Sequence, residues 1–210
     1  MMKPEHDLAS PLSASLKRLK VFVVDYESGN LRSVAKAVEK AGVIPVISGD
    51  PKELASADAV ILPGVGAGDA AMGALSRRRL VEPLRQFVAS GRPFLGVCLG
   101  LQLLMEDTEE GDAACLGIIA GKVRRLPVGL KVPHIGWSAL QYPPHRSHWQ
   151  DSCLAETQHG EFCYFVHSYM AVPKNSAHIL AQCNYEGLDV NAAIAQDNVT
   201  GLQFHPEVYH

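Results

Sequence analysis

The sequence predicts a doubly wound α/β fold, in which helices cover both faces of a central, mostly parallel β-sheet and further antiparallel strands extend that sheet. Two observations carry this prediction. In the first half of the chain, short apolar runs alternate with helical stretches through short loops, which is the pattern of βαβ units. In the second half, strand-like runs follow one another between Gly, Pro, Asn and Asp, which is typical of antiparallel or mixed strands.

The first elements follow from their residues in order. The run KVFVVD, from Lys20, is short and apolar, as expected for a parallel strand buried on both faces. In NLRSVAKAVEKAG, apolar side chains recur at helical spacing from Leu31 to Val38, and Gly42 is a natural stop. VIPVIS predicts the second strand, PKELAS a short helix and DAVILPG the third strand.

The elements that follow complete the predicted sheet. A helix is expected over about Ala70 to Ser90, starting or breaking near Pro83. RPFLGVC predicts the fourth strand, which ends at Cys98, and LGLQLLMED predicts a helix directly after it. The strands expected in the second half are GKVRRL, VPHIGWSAL, CYFVHSYMAV, HILAQCNY, NAAIAQDN and TGLQFHPE.

Composition limits the class of protein. With 210 residues, 47% hydrophobic and 20% charged, the chain suits one globular domain, which we place at residues 20–210. The formal charge of −3 argues against a nucleic-acid partner, and no apolar stretch has the length of a membrane span. Residues 1–19 are expected to be a flexible N-terminal extension, since their polar first part has no apolar core of a secretory signal.

The cysteines indicate the compartment. There are 5, an odd number, and none lies in a C-x-x-C pair, which argues against a disulfide framework or a zinc cluster. We therefore expect a cytoplasmic protein that needs neither a metal nor a cofactor.

One cysteine has the setting of a nucleophile. Cys98, in GVCLGLQ, ends the fourth strand directly before a helix, with Gly96 and Gly100 on either side. A strand-to-helix elbow exposes the side chain at its tip and places the thiol at the positive end of a helix dipole, which favours thiolate. The alternative, a small core residue, is the commoner role of a cysteine in an apolar strand.

A cysteine nucleophile needs a base and a group that orients the base. The segment FHPE near the end of the chain offers His205 and Glu207, and in extended backbone residues two apart point the same way. Glu207 could then hold the His205 imidazole in one tautomer while its other nitrogen faces Cys98. His134 and His167 are rival bases, but neither has a carboxylate two residues later.

The loop LPGVGAGD, after the third strand, completes the predicted site. Its glycines at 64, 66 and 68 match neither the dinucleotide fingerprint nor a P-loop, so a phosphate site is not expected. A loop whose backbone approaches a ligand closely is the better interpretation. Its amides could form an oxyanion hole together with the amide of Leu99.

The loop, the elbow and the terminal HPE, in this order, resemble those of the class I glutamine amidotransferases. The segments VVDYESGNLRSVAKAVEKAG, KVPHIGWS and YFVHSY further resemble the glutaminase subunits of imidazole glycerol phosphate synthases. The resemblance covers about Lys20 to Glu207. It implies the flavodoxin-like fold of that family and a partner, a (β/α)8-barrel cyclase subunit that uses the released ammonia in histidine biosynthesis, as one half of a heterodimer.

The resemblance also implies roles for residues. Cys98 would attack the glutamine side-chain amide, His205 would transfer protons, and Glu207 would orient His205. Val65 and Leu99 match the residues whose backbone amides face the oxyanion. The positions that match the glutamine-binding residues are Gly64, Gly66, Gln102, Glu110, His167, Ser168 and Tyr169.

Three departures from the family are visible. Glu27 stands where a small residue is usual, and Ser138 follows GW where Asn is usual. After HPE the chain reads VYH instead of Lys-Ser and a closing helix, so we expect part of a sheet face to be uncovered. Three alternative functions stay open: a paralogous glutaminase that supplies another synthase, such as one that amidates a surface sugar, a cysteine hydrolase or redox protein on a flavodoxin-like sheet, and a non-catalytic binding subunit.

Overall fold

A computed structural model describes residues 19–208 of the chain. The predicted N-terminal extension, except Leu19, therefore lies outside the described residues. The helices are α1 (Leu31–Lys40), α2 (Pro51–Leu54), α3 (Gly68–Arg77), α4 (Val81–Ala89), α5 (Leu99–Gln102) and a 3₁₀ turn (Ser176–His178). The strands are β1 (Lys20–Val24), β2 (Ile44–Ser48), β3 (Ala59–Leu62), β4 (Phe94–Val97), β5 (Asp107–Thr108), β6 (Gly121–Arg125), β7 (His134–Gln141), β8 (Phe162–His167), β9 (Tyr169–Pro173), β10 (Ile179–Tyr185), β11 (Leu188–Gln196) and β12 (Val199–Leu202).

The main sheet confirms the predicted fold class. Over residues 19–208 it has 9 strands in the order β2-β1-β3-β4-β12-β11-β10-β7-β8. The first five strands of this order, β2, β1, β3, β4 and β12, pair in parallel with one another. The remaining strands, β11, β10, β7 and β8, each pair antiparallel with the strand before them. The last strand of the chain, β12, thus lies beside β4, which brings the end of the chain to the strand that carries Cys98 at its tip.

The core has two parts. On one side, buried side chains of α3, α4 and α5, including Leu75, Leu84 and Leu101, pack with the parallel strands. The other part lies among the antiparallel strands around Trp149 and Phe165, which are 2% and 0% exposed. Burial of such side chains supplies most of the driving force for this fold. Among residues 19–208, no helix is long and apolar enough to span a membrane.

A second, three-stranded sheet, β5-β6-β9, was not predicted. It arises because the single strand expected over CYFVHSYMAV is divided at Ser168. β8 stays in the main sheet, whereas β9 pairs with β6, and the Leu126 N–H donates to the Ser168 carbonyl at the junction. The division turns the HSY segment towards the end of β4.

The break expected near Pro83 in the helix over 70–90 is present, but it lies slightly earlier, at 78–80, where Arg79 has φ of 56°. Pro83 itself lies inside the first turn of α4. Pro is tolerated in a first turn because those N–H groups lack helical partners. The helix expected after Cys98 is shorter than predicted. α5 has only 4 residues, so the dipole argument for thiolate carries little weight here.

A groove of about 520 Å³ has walls that include Leu95, Leu202 and Phe204. Leu202 and Phe204 are only 6% and 4% exposed, so the uncovered sheet face stays a prediction. The last predicted strand, TGLQFHPE, ends at Leu202, and the chain turns over the following residues.

Candidate active site

A cavity of about 320 Å³ lies at the carboxyl ends of β4 and β12, where open α/β sheets bind ligands. It receives side chains or backbone from most of the predicted site residues. Gly64 and Glu207 are the two that do not line it. The lining residues are Val65, Gly66, Cys98, Leu99, Gln102, Glu110, Pro133, Val166, His167, Ser168, Tyr169 and His205.

The elbow at Cys98 is strained at Cys98 itself. Cys98 has φ of 54° and ψ of −110°, a region that residues with a side chain rarely adopt. Its N–H donates to the Leu202 carbonyl at 2.7 Å, and its carbonyl accepts from the Leu101 N–H at 3.0 Å. Bonds to both neighbouring elements therefore hold the side chain at the tip of the turn, directed into the cavity.

The flanking glycines are required by close packing rather than by their own φ angles. A Cβ on Gly96 would lie 2.7 Å from the Gly100 carbonyl oxygen, and a Cβ on Gly100 would overlap the backbone of Leu62. The elbow can therefore pack against β3 only if no side chain intervenes.

Gly100→Ala is expected to lower the free energy of unfolding by about 3 kcal/mol, the upper range for overpacking, because the obstacle is backbone that cannot swing away. Gly73→Ala is the matched control, since its Cβ would meet only the end of the Arg77 side chain at 3.4 Å. That change should stabilise helix α3 by about 0.5–1 kcal/mol. Urea denaturation measures both, and equal stability of the two variants would contradict the packing argument.

His205 and Glu207 are joined in a buried pair. His205 Nδ1 lies 2.7 Å from Glu207 Oε1, and the two side chains are only 6% and 2% exposed. The contact between residues two apart was expected, but the backbone is a turn closed by the Val208 N–H to the His205 carbonyl, not a strand. Asn30, at the start of α1, donates from Nδ2 to the same Oε1 at 2.6 Å.

The surroundings of His205 favour its protonated form. Burial lowers the pKa of the imidazole, but interactions with Cys98 and Glu207 outweigh burial and raise that pKa to about 10. The interaction with Cys98 is an approach without a formed hydrogen bond, because the buried Nε2 atom of His205 has no partner at hydrogen-bond distance. Nε2 is thus the nitrogen of this ring that is left without a partner.

We expect His205 to stay protonated from neutral pH to about 10. Since its folded pKa lies above the ordinary value of 6.5, the pair stabilises the fold fully below pH 6.5, and this contribution is lost as pH rises through about 10. Glu207→Gln keeps an acceptor for Nδ1–H but removes the charge, so the His205 midpoint should fall. Imidazole ¹⁵N NMR measures it.

The matched control is Glu82→Gln, on the exposed surface of α4, which should leave the His205 midpoint unchanged. An unchanged midpoint in Glu207→Gln would instead remove Glu207 as a cause of the raised pKa.

One predicted oxyanion donor is engaged. The Leu99 N–H donates to the Gly64 carbonyl at 3.3 Å, so in this arrangement it does not face the cavity freely. In a trans peptide the carbonyl and the next N–H point in opposite directions, so the Val65 N–H is directed away from Leu99. The structure therefore holds the loop in an arrangement that presents neither expected donor.

The three loop glycines differ in their roles. Only Gly66 has a positive φ, of 99°. Gly64 is needed because a Cβ would overlap the hydroxyl of Tyr26, which donates to the Pro63 carbonyl at 2.8 Å. Gly68 begins α3 and donates its N–H to Glu110 Oε2 at 2.9 Å, which ties the loop to a residue of the cavity wall.

The rival histidines are fully engaged with each other. The Tyr169 carbonyl can only accept, so His167 Nδ1, at 2.9 Å, carries a proton, and His167 Nε2 accepts from His134 Nδ1 at 3.0 Å. His134 Nε2 then accepts from the Ser138 hydroxyl at 2.9 Å. Burial lowers the pKa of each imidazole to about 4. Neither neutral ring has a nitrogen free to serve Cys98.

The structure also locates two of the family departures. Ser138 is the residue whose hydroxyl donates to His134 Nε2. Glu27, with φ of 75°, forms ion pairs with Arg77 at 3.4 Å and Arg78 at 3.5 Å at the end of α3. Glu27 therefore joins the β1–α1 loop to α3.

Sequence reasoning missed Asn30 and Gln203. Gln203 is fully buried, with its Nε2 3.8 Å from Cys98 Sγ, and the Val166 carbonyl lies 4.0 Å from the same sulfur. The only signal was a polar residue at the end of an apolar strand, two positions before His205. Within residues 19–208, no three side chains of His, Cys, Asp or Glu converge as a metal site would require.

Comparison with known proteins gives a consistent result. The family model of the class-I glutamine amidotransferases matches residues 22–210. The imidazole glycerol phosphate synthase subunit HisH of Synechococcus elongatus is 46% identical over 190 residues, which cover 89% of this chain and 85% of that protein. The subunit HisH of Thermosynechococcus vestitus is also 46% identical and covers 89% and 88%.

Solved structures share the fold at low sequence identity. A glutamine amidotransferase crystal structure has a TM-score of 0.69 at 18% identity and covers 89% of this chain and 90% of that one. The PurLQS structure from Thermotoga maritima has a TM-score of 0.69 at 20% identity, with 90% and 88% covered.

Proposed function

The chain belongs to the class-I glutamine amidotransferase family, and on that premise we propose that it is the glutaminase subunit of an imidazole glycerol phosphate synthase. The observation that carries the proposal is the meeting, at one cavity, of the strained Cys98 elbow with the buried His205–Glu207 pair. The identity of 46% to HisH subunits supports the choice of synthase.

In the first half of the proposed reaction, the Cys98 thiolate attacks the side-chain amide carbon of glutamine. The carbonyl oxygen becomes an oxyanion, for which the Val65 and Leu99 amides are the donors. The protonated Nε2 of His205 gives its proton to the amide nitrogen, the C–N bond breaks and ammonia leaves. The product on the enzyme is a γ-glutamyl thioester on Cys98.

In the second half, His205 is neutral and acts as a base. It takes a proton from water, whose oxygen attacks the thioester carbon through a second oxyanion. The C–S bond breaks, glutamate leaves, and the Cys98 thiolate and the His205 imidazolium are restored. Glu207 accepts from Nδ1 throughout, which keeps Nε2 directed at the cavity.

The rest of the cavity would hold the glutamine. The backbone of the HSY segment and the side chains of Gln102 and Glu110 line it, and Gly66 lies at its loop wall. Each polar group offers a partner for the α-amino or α-carboxyl group of a free amino acid.

The proposed partner is a (β/α)8-barrel cyclase subunit that forms a cytoplasmic heterodimer with this chain and uses the ammonia to make imidazole glycerol phosphate, a lyase reaction of histidine biosynthesis. Exposed apolar side chains near the cavity support a docking surface. Val65 is 45% exposed and Val166 38%, and Ile135, paired with Val166 across β7 and β8, is 59% exposed. In this proposal residues 20–210 form the amidotransferase domain and residues 1–19 precede it.

The test follows the nitrogen. The purified chain is mixed with the cyclase subunit, its substrate and glutamine labelled with ¹⁵N at the side-chain amide. Label in the imidazole ring, with one glutamate released for each product, is the expected result. Glutamate release without labelled product, in parallel with labelled product from a different synthase subunit, would replace the proposed pathway.

A further inference from the structure

A fully buried amide, that of Gln203, lies against the nucleophile and has no role in the steps above. Its side chain is 0% exposed, and its Nε2 lies 3.8 Å from Cys98 Sγ. Gln203 is the first residue after β12, and its own N–H donates to the Ala192 carbonyl at 2.8 Å, which fixes the backbone beneath it.

The hydrogen-bond partners determine which end of this amide faces the sulfur. Because the Tyr169 carbonyl oxygen can only accept, the Gln102 atom 2.9 Å from it is the nitrogen. The same nitrogen lies 3.2 Å from the Gln203 side chain, which must therefore present its oxygen to Gln102. The Gln203 nitrogen, with its two protons, is the end left to face Cys98.

The Tyr169 carbonyl is itself held in place. It accepts a second bond from His167 Nδ1, and His167 in turn accepts from His134. A flip of the Gln102 amide would bring two oxygens together at Tyr169, and the same flip at Gln203 would bring two nitrogens together. These linked hydrogen bonds therefore permit only one orientation of each of the two amides, that of Gln102 and that of Gln203.

We propose that Gln203 is a hydrogen-bond donor to the Cys98 sulfur that favours thiolate over thiol, and that Gln102 is the positioning residue that sets its direction. This inference rests on the proposed function, since it concerns the nucleophile of that reaction. An anionic sulfur accepts an N–H bond more strongly than a neutral thiol does, so a fixed donor stabilises the charged form.

The other groups around the sulfur act in both directions. The protonated imidazole of His205 favours thiolate, whereas the Val166 carbonyl can only accept and so favours the thiol S–H. Tyr26 is a neutral phenol, because burial raises its pKa to about 12, and His167 is neutral as described above. Glu110 lines the same cavity. Among these groups, Gln203 is the uncharged one that donates to the sulfur.

The experiment measures how fast iodoacetamide alkylates Cys98 as a function of pH. The thiolate sulfur forms a bond to carbon and iodide leaves, so the rate follows the thiolate fraction without any need for glutamine or a partner. Mass spectrometry of the Cys98 peptide separates this thiol from the other four. Gln203→Met removes the donor at similar volume. The alkylation midpoint should rise by about one pH unit. At any pH below the midpoint, alkylation should then be about tenfold slower than in the wild type.

Two further variants and a control sharpen the test. Gln203→Glu keeps the shape but replaces the amide donor by a carboxylate, which can only accept and which repels an anionic sulfur, so the midpoint should rise at least as far as in Gln203→Met. Gln102→Met leaves Gln203 free to turn and should give a smaller rise. Gln182→Met is the control, because that amide donates to Asn191 at 3.2 Å and not to Gln102, Gln203 or Cys98. Its alkylation profile should match that of the wild type.

An alkylation midpoint that stays at the wild-type pH in either folded Gln203 variant overturns the inference. Circular dichroism shows which variants fold, and Gln203→Glu decides the matter if Gln203→Met does not fold. A wild-type chain that releases no glutamate from glutamine, yet shows these shifts, would remove the proposed function and leave Gln203 as a donor to Cys98.

Discussion

Cys98→Ser is expected to abolish glutamine-dependent synthesis and to leave ammonia-dependent synthesis by the cyclase intact. The hydroxyl of serine ionises far less readily than a thiol, so neither the thiolate–imidazolium pair nor the thioester can form. Loss of a nucleophile that acts as a unit with its base costs on the order of a millionfold in kcat. The measurements are glutamate release and imidazole glycerol phosphate formation with glutamine or with ammonium salts.

The measurement with ammonium salts separates a loss of glutamine hydrolysis from a loss of folding or docking. In the proposed reaction the cyclase takes only ammonia from this chain, so a folded Cys98→Ser subunit that still binds should not reduce the rate with ammonium. His205→Ala should behave in the same way, because in the proposed reaction ammonia is released only if thiolate attack by Cys98 and proton transfer by His205 both take place. If Cys98→Ser also removes ammonia-dependent synthesis, Cys98 is needed for folding or docking and its proposed role is wrong.

The predictable parts of the fold are those whose signals are local. Strands β1, β3 and β4 are parallel and buried, so each is a short apolar run that could be located from its residues alone. The division of the HSY strand at Ser168 had no such signal, because it depends on the bond from Leu126 and on the pairing of β9 with β6. Arg79, two residues after the end of α3, likewise has a conformation that its residue type does not favour.

The candidate site divides in the same way. Cys98 between two glycines, and His205 two positions before Glu207, could be found from short motifs. Asn30 contacts Glu207 across 177 positions of sequence, and Gln203 contacts Cys98 across 105. Such contacts depend on which strands become neighbours, and β12 beside β4 is a property of the topology rather than of either segment.

The second large effect concerns the loop at Gly64. We expect the isolated subunit to hydrolyse glutamine slowly, and the complex with the cyclase and its ligand to be a hundredfold faster or more. In the structure the Gly64 carbonyl occupies the Leu99 N–H at 3.3 Å. That carbonyl and the Val65 N–H belong to one peptide, so a single rotation would free the first donor and bring the second towards the cavity.

The energies are of a size that a partner can supply. One oxyanion donor is worth about 2.7–4 kcal/mol, a factor of roughly 10²–10³ in rate. A partner that binds the two loop arrangements unequally shifts their populations by its differential affinity, typically about 1–3 kcal/mol. Because Val65 is 45% exposed beside the cavity, a docked subunit can contact the rotating peptide directly.

The test of the loop needs a variant that isolates rotation at position 64. Gly64→Ala alone is ambiguous, because its Cβ would overlap the Tyr26 hydroxyl and displace the loop. In a Tyr26→Phe background that hydroxyl is gone, and the nearest remaining atom is the Leu99 Cβ at 3.0 Å. Tyr26→Phe is therefore the reference, and the double variant Tyr26→Phe/Gly64→Ala is the test, with alanine resisting rotations that glycine allows.

The expected result is a lower ratio of stimulated to basal glutamate release in the double variant than in Tyr26→Phe, mainly through a slower stimulated rate. The basal rate should change little, because the resting arrangement already lacks both donors. If the purified wild-type subunit alone hydrolyses glutamine at the full rate of the complex, the resting loop does not limit the reaction. In that case the hydrogen bond from the Leu99 N–H to the Gly64 carbonyl must open without the partner, and docking does not activate this enzyme.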